Sequence, residues 1–166
     1  MIIRRLTADD LEAVWMFRLQ SLQNNPEAFG STYEETLQSG KERMLHRLQQ
    51  GDRMFYLGAF EEELVGIVLF SREEGSKFQH RGFVTSMAVH PEKRGHGIGK
   101  ALIQALIAQA KQLEGVDQLE LGVVTVNSAA RRLYHSLGFE VYGITPRALK
   151  LGEQYWDEEL MVFDLS

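Results

Sequence analysis

Near the start of the chain, apolar positions recur at helical spacing: Leu11, Val14, Trp15, Leu19 and Leu22 place a side chain on one face every three or four residues. Met1 to Leu6 before them reads as a short strand. Thr7 followed by Ala8, Asp9 and Asp10 reads as a helix start, with a hydroxyl cap and then acids where the helix dipole favours them. A second helix is expected over Lys41 to Gln50, stopping at Gly51. After it the pattern changes to dense apolar and aromatic runs. Met54 to Phe60 and Leu64 to Phe70 read as strands, with Glu61, Glu62 and Glu63 as the hairpin tip between them. Gly82 to Val89 and Leu119 to Val126 are further strands, and Glu140 to Tyr142 and Leu160 to Leu165 mark the cores of two more. Helices begin near Gly97 and Asn127. The order is strand, helix, helix, three strands, helix, strand, helix, strand, strand, which predicts a mixed α/β layer fold around one sheet.

Composition narrows the class. With 166 residues, 44% hydrophobic and 25% charged, the chain is expected to form one domain over residues 1–166. No stretch approaches the roughly 18 uninterrupted apolar residues of a membrane span, and the first residues lack the apolar core of a signal peptide. A cytoplasmic protein without membrane association is therefore expected. The absence of cysteine excludes a disulfide framework, a thiolate zinc site and a cysteine nucleophile, and no metal is called for. A formal charge of -5 argues against a general nucleic-acid binder and makes a cationic small substrate easier to attract.

The segment PEKRGHGIGKALIQAL, Pro91 to Leu106, carries the candidate chemistry. It joins the strand ending at Val89 to a helix whose Ile98, Ala101, Leu102, Ala105 and Leu106 form one apolar stripe. The first turn of that helix has N–H groups without intrahelical partners, at the end where the dipole favours anions. Gly95, Gly97 and Gly99 remove side chains that would block close approach, and Arg94 and Lys100 add positive charge. The combination suits a pyrophosphate or similar anion. A dinucleotide fingerprint would need a third glycine where Lys100 stands. A Walker loop would need glycine where Arg94 stands and Ser or Thr where Ala101 stands. A plain glycine-rich turn into a helix remains the bland alternative.

Arg94-Gly95-His96-Gly97-Ile98-Gly99 resembles the Arg/Gln-x-x-Gly-x-Gly/Ala signature of the GNAT N-acetyltransferase superfamily, and it follows a hydrophobic strand and Val89-His90-Pro91. Asn127-Ser128-Ala129-Ala130-Arg131-Arg132-Leu133-Tyr134-His135-Ser136-Leu137-Gly138-Phe139 is similar to the second segment of that superfamily, Asn-x-x-Ala-x-x-x-Tyr-x-x-x-Gly-Phe. The resemblance implies a mixed, mostly antiparallel central sheet of about seven strands flanked by about four helices. It also implies acetyl-CoA as cosubstrate. Met87, Ala88 and Val89 would then pair through the main chain with the pantetheine arm, in the manner of an added strand. Arg94 to Lys100, with Gly95, His96, Gly97, Ile98 and Gly99 between them, would wrap the pyrophosphate. Asn127 would cap its helix and bond the arm, with Ala130 beside it. Tyr134 has two readings: a core tyrosine against Phe139, or, as the resemblance implies, a general acid for the leaving thiolate.

By the same resemblance the reaction is direct acetyl transfer from the thioester to a primary amine. Where many members of the superfamily carry a glutamate base, this chain has Thr85. Glu34, Glu35, His80, Asp157 and Glu158 are candidates elsewhere, as is a water relay, and the oxyanion donor would be a main-chain N–H near Ala88 or Val89. Phe29, Tyr33, Glu34 and Thr85 are expected on one side of the acceptor groove, and Tyr155, with Trp156, Asp157 and Glu158, on the other. Aromatics and acids suit a small amine, amino-acid derivative, polyamine or antibiotic-like acceptor. Acetylation of protein N-termini or ribosomal proteins, an inactive acetyl-CoA-binding sensor, and an unrelated nucleotide module remain alternatives. The residues do not give the oligomeric state; members of the superfamily are often dimers, which leaves a homodimer open, with the apolar terminal strand available to pair across its interface.

Overall fold

The computed structural model describes residues 1–166. Strand β1 (Ile2–Arg5) is followed by helices α1 (Leu11–Asn24) and α2 (Tyr33–Leu48), then by strands β2 (Met54–Phe60), β3 (Leu64–Arg72) and β4 (Arg81–Val89). Helix α3 (Ile98–Ala110), strand β5 (Gln118–Val124), helix α4 (Ser128–Ser136) and strands β6 (Glu140–Leu151) and β7 (Gln154–Asp164) complete the chain. The strands form one 7-stranded sheet in the order β1-β2-β3-β4-β5-β7-β6. Only β4 and β5 run parallel; every other pair is antiparallel. This is the expected mixed, mostly antiparallel sheet with four helices. No helix is long and apolar enough to cross a membrane.

Strand periodicity divides the core between the two faces. Phe55, Leu57, Val68 and Phe70 point to the face covered by Leu102, Ile103 and Leu106 of α3, and Tyr134 of α4 joins them. The alternate residues Tyr56, Ile67 and Leu69 point the other way, against Val14, Trp15 and Phe17 of α1 and Met44 of α2. Gly66 lets α3 lie close to β3, since a Cβ there would stand 2.9 Å from Leu102 Cδ1.

The helix starts follow local chemistry. The Thr7 side chain accepts from Asp9 N, and Asp10 accepts from Thr7 N at 2.7 Å; a single 3₁₀ turn then leads into α1. Helix α2 begins at Tyr33, well before the expected Lys41, behind a second capping box formed by Thr32 and Glu35. Its first half shows little apolar signal because it buries almost nothing, and Gly40 breaks the helix with φ 73. The closing hairpin is also longer than its apolar cores suggested: β6 is mostly exposed, and Thr145, Pro146 and Arg147 interrupt its apolar residues where the pairing with β7 shifts register. The terminal strand β7 lies between β5 and β6, so a dimer built on strand pairing would have to use one of the two edge strands, β1 or β6.

Two irregularities shape the middle of the sheet. Parallel pairing of β4 with β5 covers only Arg81 to Phe83 against Gln118 to Glu120, and beyond that the two strands part. On its other side β4 carries a bulge: Ile67 pairs with Ala88 and Leu69 with Thr85, leaving Ser86 and Met87 opposite Val68. Ser86 takes φ 53 there. We expect Leu102→Ala, which empties the centre of the α3 face, to lower stability by about 3 kcal/mol, measured as the shift in a urea unfolding curve at unchanged slope.

Candidate active site

Where β4 and β5 separate, the strand from Val84 to Val89 is bonded on its β3 side only, and its other edge opens onto a groove. The loop after β4 closes one end of that groove. His90 accepts from Glu92 N through Nδ1 and caps a short 3₁₀ turn, after which Gly95 (φ 79) and Gly97 (φ 80) curl the chain into α3. Gly97 is the N-cap of α3, with no side-chain cap bond. From Gly95 to Lys100 the backbone N–H groups have no acceptor within the protein; the next donor along, Ala101 N, bonds Gly97 O. Successive free N–H groups at a helix start form a concave site for an anion. A Cβ on Gly95 or Gly97 would meet nothing, so their glycine character serves the left-handed conformation. Gly99 serves packing, contrary to the expectation that it clears the anion's path: a Cβ there would lie 2.9 Å from Met87 Cε.

Helix α4 forms the opposite bank. Asn127 Oδ1 accepts from Ala130 N at 3.1 Å, the cap expected from the sequence. Two turns on, Tyr134 is buried and packs edge to face on Phe139, with ring centroids 5.8 Å apart. Tyr134 thus packs in the core against Phe139 and at the same time lines both cavities of the site. Its hydroxyl makes no hydrogen bond within the protein, and burial pushes the phenol above its usual value.

The groove has a volume of about 570 Å³. Met87, Ala88 and Val89 line its β4 side, Arg94, Gly95, Gly97, Ile98, Gly99 and Lys100 its loop side, and Asn127, Ala130 and Tyr134 its α4 side. His96 lies outside it, exposed, with Nδ1 3.1 Å from Lys93 O. Arg94 is tied back, giving hydrogen bonds to Val89 O and to Asn25 Oδ1 at 2.6 Å, so Lys100 is the freer cation. A second cavity, of about 640 Å³, continues from the first across Phe29, Met87, Val124 and Tyr134.

A family model described as acetyltransferase (GNAT) family matches residues 17–139. The chain belongs to the GNAT acetyltransferase family. It is 30% identical over 153 residues to an uncharacterised N-acetyltransferase of Methanocaldococcus jannaschii, covering 92% of this chain and 86% of that one. It is 30% identical over 156 residues to the catalytic subunit of the N-terminal acetyltransferase A complex of Arabidopsis thaliana, covering 93% and 74%. Among solved structures, a putative acetyltransferase from Salmonella typhimurium with its cofactor acetyl-CoA superposes with a TM-score of 0.84, at 24% identity, over 100% of this chain and 94% of that one.

In this GNAT chain the second cavity gathers residues from every layer. Phe29 and Thr85 line it as expected, with Glu158 of β7 on the far side. Tyr33, Glu34 and Tyr155 do not. Tyr33 turns into the core under α1, Glu34 is exposed on the first turn of α2, and Tyr155 lies far out on the hairpin, 3.9 Å beneath the Arg147 guanidinium. Gly122 of β5 leaves the room in which the Glu158 carboxyl sits; a Cβ there would collide with it. Glu158 makes no hydrogen bond, and desolvation raises its pKa above the usual carboxylate value.

Residues the sequence reading passed over are Arg18, Arg47 and the Glu120 cluster, all in the same cavity. Arg18 could have been noticed, since it stands on the buried stripe between Val14 and Leu22 at four-residue spacing. Glu120, 5% exposed, accepts from Arg81 and from Tyr142 Oη at 2.9 Å. The Arg81 hydrogen bond above all holds its carboxyl below the ordinary value, against desolvation. A carboxylate depressed in the folded state stabilises fully above its unfolded pKa of about 4.3 and loses that contribution as pH falls through the folded value. Glu120→Gln is therefore expected to flatten the acid side of the stability curve below about pH 4.5, read by urea unfolding at a series of pH values.

Proposed function

We propose that this protein transfers an acetyl group from acetyl-CoA directly to the primary amine of a small molecule. The observation that carries the reading is Tyr134, whose unbonded hydroxyl stands where the two cavities meet, one closed by the free N–H groups of the loop and the other lined by Glu158. Acetyl-CoA, when bound, supplies an activated acetyl thioester. The N–H groups from Gly95 to Lys100 and the Lys100 side chain would hold its pyrophosphate, and the free edge of β4 from Met87 to Val89 would bond the pantetheine arm.

The remaining chemistry falls to two side chains. An alkylamine with a pKa of ~10.4 is protonated at neutral pH, and the neutral form costs roughly 4 to 5 kcal/mol. Glu158, raised by burial and free of partners, takes that proton, directly or through one water. The amine nitrogen then bonds the acetyl carbon, the carbon–sulfur bond breaks, and the Tyr134 phenol gives its proton to the departing sulfur. Burial keeps the phenol protonated at working pH, and the same dry surroundings raise the basicity of the thiolate it must neutralise. The new amide nitrogen releases its second proton, which returns to the Tyr134 phenolate through the cavity; the amide and free thiol leave, and Glu158 gives its proton to solvent.

A second reading, acetylation of a protein N-terminus, is favoured by the name of the Arabidopsis relative. The volume of the second cavity and the apolar side chains of Phe83, Leu149 and Leu160 in its walls support the small molecule. Acetyl-CoA at one hundred times its dissociation constant is expected to stabilise the fold by about 2.7 kcal/mol, seen as a rise in Tm that ATP and NAD do not give. Tyr134→Phe should keep that rise and lose about two orders of magnitude in kcat. An unchanged kcat would remove Tyr134 from the reaction. In the Glu158→Gln variant the pH profile of kcat/KM should lose its acidic limb, because the group whose deprotonation produces that limb is gone; persistence of the limb would place the base elsewhere.

A further inference from the structure

Five arginines of this chain are held by a carboxylate: Arg4 by Asp10, Arg5 by Asp52, Arg53 by Glu74, Arg81 by Glu120 and Arg131 by Glu159. Arg18 is the most buried arginine, 5% exposed, and has none. Its Nη1 donates to Ser86 Oγ at 2.8 Å, and its guanidinium stands 5.4 Å from the Phe29 ring centroid. Arg47 of α2 lies close enough to repel it, and itself donates only to the Tyr56 hydroxyl at 3.2 Å. Both arginines line the acceptor cavity. The carboxylates near them are engaged or apart: Glu35 caps Thr32 N at 2.9 Å, Glu120 is held by Arg81, and Glu27 forms no ion pair with either arginine.

Burying a guanidinium is costly unless it is paired, and bringing a second cation near it adds to that cost. No unsatisfied polar atom is shut away in the interior, so the unused donors of Arg18 reach the open space of the cavities it lines, the acceptor cavity and a neighbouring one of about 480 Å³ between α1 and α2. We propose that Arg18 and Arg47 form an oxyanion subsite, so that the acceptor is an amine carrying a carboxylate or a phosphate-like group. The proposal rests on the acetyl-transfer reading above and deepens it. The planar fork of Arg18 suits two-point binding of a carboxylate, and Glu158 across the cavity takes the amine end. The cavity is thus cationic at its helical wall and anionic at its β7 wall, which fits a zwitterion and disfavours a polyamine.

Paired probes test this by rates of CoA release at saturating acetyl-CoA: L-leucine against L-leucinamide, and 2-aminoethyl phosphate against ethanolamine. Spermidine and a short peptide amide with a free N-terminal alanine complete the set. The charged member of at least one pair should exceed its neutral partner in kcat/KM by about tenfold or more, and which pair does so tells carboxylate from phosphate. That advantage should shrink towards one in Arg47→Met and in Arg18→Met, with the acetyl-CoA rise in Tm retained. Arg47→Met decides the matter if loss of the Ser86 contact unfolds the Arg18 variant. Neutral partners that match the charged ones, spermidine or the peptide amide as the best acceptor, or an advantage that survives Arg47→Met would each overturn the subsite. If no probe is acetylated, calorimetric titration of N-acetyl-L-leucine against N-acetyl-L-leucinamide into CoA-saturated protein decides, and equal affinities overturn it. Absence of the acetyl-CoA rise in Tm would instead strike the transfer reading itself.

Discussion

The parting of β4 from β5 is the constraint on which the rest of this structure depends. Parallel strands held together by three residues on each side and then released leave a row of main-chain groups with no partner inside the sheet. Such groups must be bonded by something, because unpaired polar backbone in a partly buried position is costly. A closed sheet would be more stable and would have no function here. The gap makes both the groove and its floor, and the helix that follows β4 directs its free N–H groups at one end of it.

Holding the gap open requires the strands on either side to be fixed independently. β4 is fixed by the bulge at Ser86 and Met87, whose left-handed serine is tied to α1 by Arg18. β5 is fixed by full pairing along β7 and by the Glu120 cluster at the fork, where Arg81 and Tyr142 converge on one carboxylate. Helix α4 is fastened to β7 by Arg131, which grips Glu159 and also donates to Thr125 O. These polar clamps surround the site while the core beneath α3 is wholly apolar, so the cavity walls are rigid where chemistry needs them placed.

Charge is distributed against the overall balance. The chain carries -5, yet the helical side of the acceptor cavity presents two arginines without counterions. Net charge governs long-range attraction, whereas the selection of an acceptor is made at contact distance inside a low-dielectric cavity. The whole-chain sign therefore pointed to a cation, whereas the proposed oxyanion subsite would select a molecule bearing both signs.

Periodicity, caps and the two glycine-bearing segments determined the order of elements, the sheet class and the family from the sequence alone. They did so because each signal lies within one stretch of chain: the Asn127 cap, the stripe of α3, the left-handed glycines before it. The same locality explains the early start of α2, which buries too little to show a stripe, and the long β6, whose apolar alternation is interrupted by Thr145, Pro146 and Arg147. Only the tertiary structure decided that Gly99 is a packing glycine, that β7 is an interior strand, and that Tyr33, Glu34 and Tyr155 lie away from the second cavity. It alone brought Arg18, Arg47, Glu120 and Glu158 to one cavity from two helices and two strands. Their meeting depends on how the layers stack and where the sheet splits, and that geometry arises from contacts between segments far apart in the chain, which no local pattern records.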